Sequence, residues 1–218
     1  TEIRDCVRGL YISSAASPLI QSCHFQDNQY FPIHAYIQHI PDLTGNTFAG
    51  NLYSQIAIFN GGNISTDVTW PAADIPYLMT TGFSVQGQDG PDSVTTLTLE
   101  PGVTLMMQQY ISISIGHATN STLPGAIVAV GTAGNKITFT GESATPGFWA
   151  GIRFNNYADD TLCEITHCTV EYAGYGSNET IYCSSASPTL TNTELAFGSG
   201  PGIYCYNYSD PVIDTCNI

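Results

Sequence analysis

Basic residues are scarce in this chain. Among its 218 residues, lysine and arginine together number four, against 18 aspartates and glutamates, and the formal net charge is −14. Such an acidic surface repels nucleic-acid phosphates and anionic lipid headgroups. Long hydrophobic runs are missing too, since no apolar stretch approaches the roughly 20 residues of a membrane-spanning helix. We therefore expect neither a nucleic-acid partner nor membrane insertion.

Motifs of catalysis and of metal or cofactor binding are also missing. The sequence has no nucleophile elbow, phosphate-binding loop or dinucleotide fingerprint, and no C-x-x-C pair that would hold zinc. The histidines are scattered along the chain. We predict no catalytic residue, no metal ligand and no cofactor, so that an enzyme is the less favoured of the classes that stay open.

What the sequence does contain is an internal repeat. Segment 18–28 has a counterpart at 41–51, with proline, an aliphatic residue, phenylalanine and asparagine in the same places. Segment 188–195 has a counterpart at 211–218. The offset is 23 residues in both cases (41 − 18 and 211 − 188).

Short apolar alternations accompany this repeat. Tripeptides at 10–12, 181–183 and 203–205 each place a tyrosine between two apolar residues. This order is typical of a short strand with one buried face, and stacked coils of such strands share a continuous core. Equal coils imply parallel pairing, and parallel crossovers are right-handed. The sequence predicts an all-β fold, a right-handed parallel β-helix (solenoid) of about nine coils of roughly 23 residues.

The repeat at 18–28 is similar to the parallel β-helix repeat S-P-x-I-x-N-C-x-F-x-x-N. That repeat is found in many bacterial and archaeal surface proteins and in some polysaccharide-degrading enzymes of the pectate-lyase-like fold. Segments 97–103, 137–140 and 149–154 resemble the opening coils of a large secreted group of such proteins. The resemblance implies an extracellular or cell-surface location, whereas it is shared by proteins of many functions.

Two units are predicted. Residues 1–62 look like terminal-type coils, and residues 63–218 look like a second β-helix unit stacked continuously on the first. By residue 165 the pattern of the first residues returns. Because the chain opens without a signal peptide and stops inside a repeated motif, we expect both ends to be cuts in a tandem array.

Cysteines and carboxylates leave alternatives open. Cysteines recur in phase with apolar residues, at positions 6, 23, 168 and 216 and again at 183 and 205, which favours buried free thiols over a Cys183–Cys205 disulfide. Asp159 and Asp160 form the only adjacent acidic pair. Pectinase-type hydrolases of this fold combine such a pair with Asn-x-Asp, Gly-His-Gly and Arg-x-Lys motifs, which are not found here in that order. A turn role for the pair is therefore favoured over catalysis.

An outward row of Arg153, Tyr182 and Tyr204 is the candidate binding site. Each of these residues lies between two apolar residues of a predicted strand, and the three strands belong to successive coils. The row either stabilises the sheet through cross-strand contacts or binds a sugar or another chain.

Taken together, these patterns predict a non-enzymatic extracellular or cell-surface β-solenoid. We expect a structural or adhesive unit that stacks head to tail on itself, by way of the unpaired backbone groups of its end coils, into a filament. The alternative is a carbohydrate-binding or polysaccharide-degrading β-helix protein that holds a surface polysaccharide along the Arg153 row. The expected partners are therefore the protein itself or a surface polysaccharide.

Overall fold

The computed structural model describes residues 1–13, 16 and 18–218. In this part of the chain, four sheets contain only parallel strand pairs, and the single helix is a 3-10 turn, Tyr175–Ser177. No helix there is long and apolar enough to cross a membrane. The prediction of an all-β fold with parallel pairing between successive turns is confirmed.

The strands are distributed over one short sheet and three long ones, which we name A to D. Sheet A contains β1 (Glu2–Arg4), β3 (His24–Gln26) and β5 (Thr47–Ala49). Sheet B contains β2 (Leu10–Tyr11), β4 (Ile33–Tyr36), β6 (Ile56–Phe59), β9 (Tyr77–Met79), β12 (Thr104–Met107), β15 (Ile137–Gly141), β18 (Cys168–Glu171) and β21 (Glu194–Ala196). Sheet C contains β7 (Gly62–Ile64), β10 (Phe83–Val85), β13 (Ser112–Ile115), β16 (Gly151–Phe154), β19 (Ile181–Ser184) and β22 (Ile203–Tyr206). Sheet D contains β8 (Val68–Trp70), β11 (Thr95–Leu99), β14 (Gly125–Val130), β17 (Glu164–Thr166), β20 (Thr189–Thr191) and β23 (Val212–Asp214).

The chain visits these sheets in a fixed order, which makes the architecture solenoid-like. From β7 onward each turn passes through sheets C, D and B, whereas the earlier turns alternate between sheets A and B. Each strand pairs in register with the strand one turn later, so that Ile152 lies beside Ile181 and Ile181 beside Ile203. Alternate residues therefore face a common interior.

That interior is one hydrophobic core that runs through all turns. In β11 and β15, buried and half-buried residues alternate, as the spacing of apolar residues in the sequence requires. Trp70, Phe139 and Trp149 are among the largest fully buried side chains. Trp149 has a polar indole nitrogen, and its Nε1 donates to the carbonyl oxygen of Glu171 at 2.8 Å, which satisfies that buried donor.

The repeat length varies along the solenoid. Leu10 pairs with Ile33, which keeps the 23-residue offset, but Ile113 pairs with Ile152, an offset of 39 residues (152 − 113). The extra residues lie in loops between the sheets, where backbone length is not constrained by strand pairing. The predicted period of roughly 23 residues therefore applies to the turns near both ends and not to the central ones.

The predicted boundary between residues 62 and 63 falls inside β7. Sheet A ends before this point, and sheets C and D begin at it. Sheet B continues across it, because Ile56 in β6 pairs with Tyr77 in β9.

Candidate functional site

The structure places Arg153, Tyr182 and Tyr204 side by side on the outer face of sheet C. Arg153 in β16 pairs with Tyr182 in β19, and Tyr182 pairs with Tyr204 in β22. Their chain neighbours in these strands face the core, so the three side chains have to point outward. The same row continues in the other direction through small polar residues: Ser114, Ser84 and Asn63.

The three side chains form a stack. The guanidinium carbon of Arg153 lies 4.2 Å from the centroid of the Tyr182 ring. The rings of Tyr182 and Tyr204 have centroids 5.9 Å apart and planes that differ by only 10°. Arg153 Nη1 also donates to Glu179 Oε1 at 3.2 Å. Because the Arg153 charge is balanced by Glu179, the row is a flat aromatic surface with little net charge.

The exposure of the three side chains is compatible with a structural role and with a binding role. Arg153 and Tyr182 are half-buried, whereas Tyr204 is 46% exposed and is the most accessible member. Stacked rings of this kind stabilise the sheet by roughly 0.5–1.5 kcal/mol per pair. The same flat face also suits the apolar face of a sugar ring or an aromatic side chain of another chain.

The adjacent carboxylates Asp159 and Asp160 shape a loop between β16 and β17. Asp159 Oδ1 accepts hydrogen bonds from the backbone and hydroxyl groups of Thr161, at 2.9 and 2.7 Å. Asp160 Oδ1 accepts from the backbone nitrogen of Ser187 at 2.6 Å. Within the described residues, no group of three or more His, Cys, Asp or Glu side chains is arranged to hold a metal ion.

A second aromatic surface, which sequence reasoning missed, lies on the first turns. We call it the N-terminal aromatic patch. It contains Tyr11, Tyr30, Phe31, His34, Tyr53 and Phe59, with Arg8 at its edge. The Phe31 and Tyr53 rings stack at 4.6 Å, and the His34 and Phe59 rings meet edge to face at 4.3 Å. Tyr11, Tyr30 and Tyr53 remain exposed.

Strand register explains the Tyr11 and His34 part of this patch. Tyr11 pairs with His34 on the outer face of sheet B, in the same way as Tyr182 pairs with Tyr204 on sheet C. The signal in the sequence is the tyrosine at the centre of the 10–12 tripeptide, which matches those at 181–183 and 203–205. The loop rings of Phe31 and Tyr53 carry no such signal, because their position depends on how the loops fold.

Charge distinguishes the two surfaces. Among the described residues, Arg4, Lys136 and Arg153 each lie within 4.0 Å of a carboxylate, whereas Arg8 has no such partner and lies over the rings of Tyr11 and Tyr30. Burial, and secondarily the Arg8 charge, lower the pKa of His34 below its ordinary value. The neutral form of His34 is therefore favoured inside the patch.

All seven cysteines are free thiols, and three of them are buried: Cys163, Cys168 and Cys183. Burial raises the pKa of each of these three to about 12, so they are protonated and unreactive. Cys183 pairs in register with Cys205, which is exposed in the last turn. The structure therefore agrees with buried thiols in the central turns only.

The expected shared position of Cys6 and Cys23 is wrong. Because Ile3 pairs with Phe25, Cys6 falls next to Asn28, whose Oδ1 accepts from the Cys6 backbone nitrogen at 3.1 Å. Cys23 instead falls next to Asn46, with a corresponding bond of 2.8 Å. The two cysteines thus belong to different positions of the coil.

The last turn exposes apolar residues that are buried one turn earlier. Ile213 is 45% exposed, although its register partner Leu190 is fully buried. Cys205 is exposed next to the buried Cys183. The strands of this turn, β22 and β23, are edge strands of sheets C and D, and β1 and β2 are edge strands of sheets A and B.

In comparisons with known proteins, no family model, no curated protein and no solved structure matches the chain.

Proposed function

We propose that this protein is a non-enzymatic structural and adhesive unit of the cell surface or extracellular space, which stacks head to tail on copies of itself. It is a right-handed parallel β-helix of the pectate-lyase-like superfold, with about nine coils. Sheet B supports this coil number, because the isolated bridge between Glu194 and Asn217 adds a further level to its eight strands.

The in-register stacking of successive turns over one hydrophobic core is the observation that carries the proposal, because a solenoid of this kind accepts a further turn on its edge strands. Ile203, Cys205 and Ile213 follow buried residues in register, so each has the orientation of a core residue without the cover of one. Edge strands with unpaired backbone groups pair readily with another strand. Covering this face with a further turn would bury apolar surface, at roughly 25 cal/mol per Å².

The first turn of a second copy has the matching pattern. The tripeptide at 10–12 places Tyr11 between Leu10 and an isoleucine, as the tripeptide at 203–205 places Tyr204 between Ile203 and Cys205. In the second copy β2 is an edge strand. Its inward and outward residues alternate in the same way as those of β19, which pairs with β22 in the first copy. A second copy of this chain is the occupant that we propose for this face.

Electron microscopy and sedimentation velocity of the purified chain test this function. We expect rods that grow in length with protein concentration. Ile213→Asp and, separately, Cys205→Asp should abolish this growth, because each puts a charge into the contact. Leu52→Asp is the matched control, since Leu52 is 65% exposed in a loop between β5 and β6. Folded Ile213→Asp and Cys205→Asp proteins that still assemble would disprove the proposal.

Carbohydrate recognition along the Arg153 row is the second candidate. The observation in its favour is the parallel stacking of Tyr182 and Tyr204 beside a charge-balanced arginine. A glycan array with the native protein and with Tyr182→Ala/Tyr204→Ala tests it. The control is the double variant of another surface pair, Tyr110→Ala/Tyr175→Ala, whose rings lie 4.3 Å apart. Glycan binding that is lost only in the first double variant supports this candidate, and binding that survives there excludes the row.

The polysaccharide-degrading version of this candidate has its own test. Asp159→Asn and Asp160→Asn, made together, remove both loop carboxylates. Cleavage of a polysaccharide that persists in this variant would rule out a role for the pair in catalysis.

A further inference from the structure

Four Asn-X-Ser/Thr sequences occur in the chain, and the structure distinguishes one of them. They begin at Asn63, Asn120, Asn178 and Asn207. This motif is the acceptor for N-linked glycans in proteins that leave the cytoplasm. In the folded chain an attached glycan needs an amide nitrogen Nδ2 with open space around it.

In three of the four asparagines, Nδ2 already donates a hydrogen bond to a backbone carbonyl or to a side chain. Asn63 Nδ2 donates to the carbonyl oxygen of Gln86 at 2.8 Å, and Asn178 Nδ2 donates to that of Tyr175 at 2.5 Å. Asn207 Nδ2 donates to Ser185 Oγ at 2.6 Å. A sugar on any of these nitrogens would have to fit beside the residue to which that nitrogen already donates.

The hydroxyl residues of these three motifs are engaged as well. Thr180 is 1% exposed, and the hydroxyl of Ser209 donates to the carbonyl oxygen of Tyr206 at 2.8 Å. The hydroxyl of Ser65 accepts from Gln38 Nε2 at 3.2 Å. None of the three motifs therefore presents both of its recognition side chains free to solvent.

The motif at Asn120 differs in its exposure and in its amide nitrogen, and among the described residues the hydroxyl of Thr122 bonds only within the motif. Asn120, Ser121 and Thr122 are all exposed, in the loop between β13 and β14. Asn120 Oδ1 accepts from the Thr122 backbone nitrogen at 3.0 Å and from Thr122 Oγ1 at 2.9 Å. In the part of the chain that the structure describes, Asn120 Nδ2 has no hydrogen-bond partner.

Hydrogen bonds to His117 fix the shape of this loop. His117 Nδ1 accepts from the backbone nitrogens of Thr119 and Asn120, each at 3.0 Å. The His117 backbone nitrogen donates to the Leu123 carbonyl oxygen at 3.1 Å. The loop therefore presents Asn120 Nδ2 outward from a fixed turn, on the side of the solenoid and away from the edge strands.

We propose that Asn120 is the site of an N-linked glycan. The donor is a lipid-linked sugar diphosphate, and a transferase of the producing cell supplies the catalysis. Nδ2 forms a bond to the anomeric carbon, the bond from that carbon to the diphosphate oxygen breaks, the diphosphate leaves with the electron pair, and Nδ2 loses one proton. The inference depends on the extracellular or cell-surface location in the proposed function, and a glycan on this loop leaves the end turns free to stack.

Mass spectrometry of the full-length protein from its native source tests the proposal. We expect a glycopeptide that contains Asn120, and unmodified peptides for the other three motifs. Asn120→Gln and Thr122→Ala should each remove the glycan, whereas Ser121→Ala, which changes the middle residue, should retain it. Asn178→Gln is the matched control and should also retain it.

Two results would overturn the proposal: a native Asn120 peptide with the mass of the bare sequence, or a glycan on Asn63, Asn178 or Asn207 in place of Asn120. Labelling of intact cells with a membrane-impermeant reagent locates the protein independently. A labelled protein without a glycan refutes the inference and leaves the proposed location intact. A protein that is neither labelled nor secreted refutes the proposed location itself.

Discussion

His34 shows how a single side chain can depend on its neighbours in adjacent turns. Its ring packs against Tyr11 at 5.2 Å and Phe59 at 4.3 Å, and Arg8 lies close by. Its Nδ1 atom is buried without a hydrogen-bond partner among the described residues. Burial of a polar ring costs free energy, and that cost grows when the ring becomes charged.

We expect the first turns to lose stability under mild acid. Because the folded state holds the pKa of His34 below 6.5, the unfolded chain takes up the proton first, and stability falls as the pH drops through and below that value. Thermal melting between about pH 7 and about pH 5 measures this effect. His34→Phe should flatten the pH dependence, and the exposed His24→Gln should not. An unchanged pH dependence in His34→Phe would contradict the expectation.

Arg153 and Tyr182 make the second prediction at this scale. A double-mutant cycle with Arg153→Gln and Tyr182→Leu should give a coupling free energy of about 0.5–1 kcal/mol in chemical denaturation, because the guanidinium lies over the ring face. The exposed Lys136–Glu194 pair, with atoms 3.8 Å apart, is the comparison and should give less than this. Equal coupling in the two pairs would mean that the ring adds nothing.

At the scale of the element, the start of β14 lies in close contact with the backbone of the preceding turn. Gly125 is the first residue of β14, and a Cβ atom there would overlap the carbonyl oxygen of Val85 in β10. Gly134, in the loop before β15, has open space around the corresponding position. The sequence contains both as isolated glycines, and only the packing of neighbouring turns separates them.

Gly125→Ala should therefore destabilise the fold by about 3 kcal/mol, because backbone in two adjacent turns has to move apart. Gly134→Ala should be near neutral. The midpoints of chemical denaturation compare the two variants. Similar midpoints for both would show that β14 and β10 adjust without cost.

At the scale of the whole molecule, shape favours stacking and charge opposes it. The core is continuous along the solenoid, so in the proposed assembly the new contacts between copies would form at the end turns. Each copy also carries a formal net charge of −14, so that two copies repel each other at a distance.

Head-to-tail assembly should accordingly strengthen with salt. Screening shortens the reach of the repulsion to about 10 Å at 0.1 M ionic strength, while apolar contact at the end turn is not weakened by salt. Sedimentation velocity at low and high sodium chloride measures the change. Rods that dissolve as salt is added would instead indicate association through ion pairs.

Several features of the fold follow directly from the sequence. The tripeptides at 181–183 and 203–205 place Tyr182 and Tyr204 outward because alternation is a local property of each strand. The buried state of Cys168 and Cys183 follows from their phase with apolar residues. Cys6 does not share the coil position of Cys23 because Ile3 pairs with Phe25, and a three-residue strand carries too little pattern for the sequence to define its register.

The sequence by itself therefore determined the class of this protein: parallel strands, one inward face and an acidic, cation-poor surface. These are properties of residue spacing and composition, which repeat from coil to coil and need no knowledge of distant contacts. Only the tertiary structure decided which side chains meet, because the loops between paired strands differ in length. The Glu179 partner of Arg153, the ring cluster around His34 and the free amide of Asn120 are all consequences of how those loops fold onto neighbouring turns.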